Sequence, residues 1–166
     1  KLDDQQRCGV SRELMRAGNR RRAKIMLDIL AGKADFGHIH AAESLYKLEE
    51  IGDGVAMRKA FAQKKNLRLR VMAAAALARC GNPDAMKFLR TEVISHEDPE
   101  VYKLAAWILG RIGDDSDIAL LKRHLKRCPD ELTRAYFHNS LATLGDKDGL
   151  AALAKSLTSD DPAVRT

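Results

Sequence analysis

Residues 101–115 read VYKLAAWILGRIGDD. The stretch holds two adjacent alanines, the only tryptophan of the chain, two glycines three apart and an acidic stop. It is either a pocket wall or one copy of a structural unit. Taking Gly113 as a marker decides for the unit. HAAESLYKLEEIG (40–52), LRVMAAAALARCG (69–81), VYKLAAWILGRIG (101–113) and TRAYFHNSLATLG (133–145) align on their last glycine. Leu48, Leu77, Leu109 and Leu141 stand four before it, and Asp53, Asn82, Asp114 and Asp146 follow it. A fainter copy, QRCGVSRELMRAG, ends at Gly18, and DDPAVRT (160–166) opens another.

Each copy reads as two helices. The first carries leucine and small residues at helical spacing and ends at the glycine, which suits a left-handed cap. The following Asp or Asn caps the second helix through its side chain, most clearly at Asn82-Pro83. The second helix repeats apolar residues five, eight and twelve after the glycine: Met86, Leu89 and Val93, then Ile118, Leu121 and Leu125, then Leu150, Leu153 and Leu157. Helices of about twelve residues are marginal alone in water, so pairs must stack to bury these stripes. Ala73 to Ala76 and Ala105-Ala106 permit close approach. The expectation is an all-α fold, an α-solenoid of stacked helix pairs. One domain is expected over 1–166, with about five pairs and the start of another, cut from a longer chain.

DPAVR (161–165) and LGRIGD (109–114) resemble the short bacterial HEAT-like repeat, the type also found in phycobilin lyases. Arg7, Arg70, Arg134 and Arg165 take the repeat's usual arginine place, eleven before the glycine, while Tyr102 and Ala41 depart from it. The resemblance implies a solenoid whose second helices line a concave face.

Composition narrows the class. Hydrophobic residues make 45% of the 166 and aromatics 5%, which favours helices over sandwiches and barrels. No apolar run is long enough to span a membrane. Cys8, Cys80 and Cys128 are odd in number and widely spaced, so neither a disulfide framework nor a zinc site is expected. A reducing, cytoplasmic setting is the default.

No catalytic constellation is legible: there is no nucleophile elbow and no phosphate loop. His38 and His40 lack a third metal ligand nearby in sequence, and His96 and His138 suit loop and packing roles. The His-Glu pairs of iron-binding deoxyhypusine hydroxylases are missing, with Ala42-Glu43, Val71-Met72, Lys103-Leu104 and Ala135-Tyr136 at those places. No metal and no cofactor is expected.

Charge is the remaining signal. The net charge is +6, whereas the segments of the second helices (19–32, 53–65, 83–94, 115–127, 146–157) hold sixteen Lys and Arg against eight Asp and Glu. Lys24, Arg58 and Lys87 each stand six after their glycine and form the expected ladder; Arg90 and Lys122 share the next exposed turn. Tyr102 and Trp107 are unexplained by the repeat and complete the expected contact set. The expected function is a non-enzymatic scaffold binding an acidic protein, with nucleic acid or a phosphorylated ligand on the same basic face as the alternative.

Overall fold

The computed structural model describes residues 2–33 and 36–165, and all its regular elements there are helical. They group into two compact units, residues 1–87 and 88–166. The first holds α1 (Asp4–Arg16), α2 (Ala23–Ala31), α3 (His38–Leu48), α4 (Val55–Ala62), α5 (Leu67–Arg79) and most of α6 (Pro83–Phe88). The second holds α7 (Pro99–Ile112), α8 (Ser116–Leu125), α9 (Glu131–Thr143), α10 (Lys147–Ser156) and the short α11 (Pro162–Arg165). Odd-numbered helices are the first of each pair and even-numbered the second, the order of an α-solenoid of helical repeats.

In the first unit α3 packs on α1, α2 and α5, and α5 on α4. Leu69 and every residue from Val71 to Ala78 are buried, so the alanine run is the centre of that core. In the second unit α9 packs on α7, α8 and α10. An added Cβ on Gly110 would lie 2.7 Å from the Ser140 Cα, which shows how closely α7 and α9 cross.

The caps follow the sequence pattern at α6, α7 and α10, whereas at α4 and α8 the N-cap is Gly54 or Asp115, and the Asp53 and Asp114 side chains accept the Val55 and Ser116 N–H. Asn82 accepts from Ala85 N–H, Asp98 from Glu100 N–H and Asp146 from Gly149 N–H at 2.8–2.9 Å. Gly18, Gly52, Gly81 and Gly145 have positive φ as expected.

Gly113 does not; its φ and ψ are −79° and −175°. Its lack of a side chain serves packing instead, since a Cβ there would lie 2.3 Å from Asp117 Oδ2. The helix expected to reach Gly52 stops at Leu48, with Glu49 left-handed. Arg79 from α5 takes the Tyr46 carbonyl and the Glu49 carboxylate, so this end is satisfied from outside the helix. The last stripe also differs from expectation. Leu150 and Leu157 are 60% and 68% exposed.

Candidate interaction face

The expected contacts separate by their distance from the preceding glycine. Six residues on, the cations point to solvent. Arg58 is exposed on α4, and its Nη2 donates to the Asp53 carbonyl at 3.0 Å. Its guanidinium lies over Gly54, where a Cβ would come within 2.5 Å of Nη1. Among the described residues no carboxylate pairs with it, so its charge is uncompensated. Lys87 is exposed on α6. Lys24 is exposed but meets Asp28 one turn along at 2.7 Å, which offsets part of its charge.

Nine residues on, the cations join one pair to the next. Arg90 reaches forward from a π-helical turn, Leu89–Val93, that continues α6. Its Nε and Nη2 donate to Asp117 Oδ1 and Oδ2 at 2.8 and 2.7 Å, and Nη2 also meets Asp114 at 2.9 Å. Asp117 is 1% exposed and accepts the Asp114 N–H as well. Such bidentate pairing is among the stronger protein contacts. The Asp114 carboxyl falls to about 2 because the Ser116 hydroxyl and then Arg90 donate to it. Lys122 repeats the scheme one pair later, at 2.5 Å from Asp146 and 3.4 Å from Asp148. Asp146 therefore holds the Lys122 pKa above its ordinary value, and Lys122 lowers that of Asp146. Arg90 and Lys122 keep side-chain exposures of 30% and 42%, but both are paired with carboxylates of the fold.

Tyr102 differs from expectation. It is 2% exposed, its ring sits edge-on to Phe137 and its hydroxyl donates to the Arg127 carbonyl at 3.3 Å. The reason lies in the arginine place. Arg70 donates to the Phe61 carbonyl, Arg134 to that of Cys128 and Arg165 to that of Ser159, so the repeat arginine caps the chain leaving the preceding second helix. Tyr102 cannot do so. Arg127 instead stacks on the Tyr102 ring at 5.1 Å and donates to the His96 carbonyl at 2.9 Å. His96, Cys128 and Ser159 each stand six before the repeat position. Near Ala41, the other departure, His38 Nε2 lies 3.1 Å from the Gly32 carbonyl. The sequence shows the departures at Tyr102 and Ala41 but not the contacts of Arg127 and His38 beside them.

With these repeat contacts in place, the comparison with known families is decisive: HEAT repeats match residues 55–137, half of the chain. The chain belongs to the HEAT repeat family. The match runs from α4 into α9, so it covers the Arg90–Asp117 joint and the Tyr102–Arg127 exchange. No curated protein and no solved structure matches.

Around this HEAT frame the remaining chemistry is modest. Trp107 is half-buried on α7, with the Arg111 guanidinium 4.4 Å over its ring. Burial pushes the Cys8 and Cys128 thiols up to about 11, and partial burial followed by Glu49 raises Cys80. None is thereby activated as a thiolate at neutral pH. Among the described residues no group of three or more His, Cys, Asp and Glu is placed to hold a metal ion, and no helix is long and apolar enough to cross a membrane.

Proposed function

We propose that this HEAT repeat chain is a non-enzymatic scaffold that binds an acidic protein partner on its second helices. Arg58 and Lys87 are the central contacts, Lys24 is a weaker one, and Trp107 with Arg111 is a separate anchor of the type enriched at interfaces. Arg90, Lys122 and Tyr102 support the fold and leave the contact set. The observation that carries the proposal is the twofold excess of cations over acids on the second-helix segments, sixteen against eight. It persists at Arg58, which stays exposed and unpaired with an acid among the described residues.

The test is capture from a lysate of the source cells by the immobilised chain, across a salt series. A protein held at low salt should be released at high salt and should not be held by Arg58→Glu/Lys87→Glu. Retention by that variant would sink the proposal. Loss on nuclease treatment would replace the protein partner with nucleic acid. A turnover abolished by one polar substitution would overturn the non-enzymatic reading.

A further inference from the structure

The acids of this chain are unevenly spread. From residue 54 to residue 83 there is no Asp or Glu, although the chain contains 23. Seven cations fall in that interval: Arg58, Lys59, Lys64, Lys65, Arg68, Arg70 and Arg79. The fold uses three of them. Arg58 and Arg70 donate to carbonyls, and Arg79 meets Glu49. The other four, Lys59, Lys64, Lys65 and Arg68, are all exposed. Among the described residues none of the four has a hydrogen bond or ion pair.

They lie at the end of α4, on the turn and at the start of α5. The turn is braced from within. The Gln63 side chain donates to the carbonyls of Ala60 and Asn66 at 3.1 and 2.8 Å and accepts the Asn66 N–H at 2.9 Å. The Asn66 side chain then caps α5 through Leu69 N–H at 3.0 Å. Lys64 and Lys65 are therefore presented from a fixed backbone, which lowers the ordering cost of contact.

We propose that this α4–α5 turn docks the phosphate backbone of nucleic acid, with Lys59, Lys64, Lys65 and Arg68 as the contacts. Two observations favour nucleic acid over an acidic protein. No large apolar side chain between residues 59 and 68 is exposed, so the apolar centre of a protein–protein contact is missing. Every exposed residue there except Ala62 is a cation, which matches the polar, positive character of nucleic-acid interfaces. Phe61 is only partly exposed and lies under the Arg70 guanidinium, so no ring stands out to stack on a base. Binding is therefore independent of sequence.

The surface adjoins Arg58 on α4, and the test tells the two sets of contacts apart by changing them in separate variants. Binding of a short random-sequence DNA duplex is followed by fluorescence anisotropy across a salt series. Three proteins are compared: the unaltered chain, Lys64→Glu/Lys65→Glu/Arg68→Glu and Arg58→Glu/Lys87→Glu. The unaltered chain should bind with a steep salt dependence. The triple variant should bind more weakly, with the slope of log affinity against log salt reduced by about 2.7, at about 0.9 per phosphate contact. Its far-UV circular dichroism should be unchanged, because among the described residues the three exposed side chains make no hydrogen bond or ion pair. The Arg58→Glu/Lys87→Glu protein should keep most of the binding. Equal duplex binding by the triple variant and the unaltered chain would overturn the proposal. So would an unaltered chain that holds a polyglutamate peptide through these residues and not the duplex.

Discussion

Between α2 and α4, in residues 1–87, the joint between successive second helices is apolar. Leu27, nine after Gly18, lies against Gly52, where an added Cβ would meet its Cδ1 at 2.8 Å. In residues 88–166 the same register position is ionic. Arg90 and Lys122, each nine after a glycine, reach the acids that follow the next glycine. One repeat thus closes the same gap in two ways. The apolar joint depends on shape and the ionic joint on charge, so the two units should respond differently to acid and to truncation.

The largest difference is expected on acidification, which weakens both ionic joints together. Asp114 titrates at about 2 in the fold against an ordinary 3.8, and Asp146 is lowered as well, by Lys122 first. A carboxyl lowered in the fold adds stability above its unfolded pKa and loses it as pH falls towards the folded one. The loss should run from about pH 4 towards pH 2. His124 and His138, lowered chiefly by burial, lie in the same unit and add a loss beginning near the ordinary histidine value. Among the described residues of the first unit only Glu13 is a lowered carboxyl, held down by Arg12 and Arg16. Trp107 reports on the second unit alone, so its fluorescence should change at higher pH than the remaining helix signal. Coincident transitions would break the comparison.

Truncation at the ionic joint should have the next effect. Asp117→Ala leaves Arg90 without its main partner and the Asp114 N–H unsatisfied. The cost should be about 3 kcal/mol in urea unfolding. A loss below about 1 kcal/mol would place the pair with ordinary surface bridges. The apolar joint should be the more tolerant. Leu27 is half-buried, so Leu27→Ala should cost about 1–2 kcal/mol, less than a fully buried leucine. Its cost should be indifferent to salt; a strong salt dependence would blur the distinction between the joints.

Much of this frame is legible in the sequence because it depends on local chemistry. Asn82 and Asp146, each just after a glycine, cap α6 and α10, and Leu77, Leu109 and Leu141, each four before a glycine, are buried. The roles of individual cations are not local. Arg90 meets Asp117 across 27 residues, so its identity as a joint and not a contact emerges only when two pairs are stacked. Tyr102 looks like a surface aromatic at a variable place until Arg127, 25 residues on, is seen doing the work of the missing arginine. Gly113 reads as a left-handed cap but serves the approach of Asp117. The excess of charge on the second helices is real in the sequence; how much of it remains for a partner depends on these distant pairings.

The central claim is that register decides what a second-helix arginine does: six after the glycine it stays at the surface, nine after the glycine it joins one pair to the next. Urea unfolding of Arg58→Ala and Arg90→Ala, followed by far-UV circular dichroism, tests it most directly. The account predicts a small fall in midpoint for Arg58→Ala, which loses one exposed bond to the Asp53 carbonyl, and a clearly larger fall for Arg90→Ala. Equal midpoints, or a greater loss at Arg58, would contradict it.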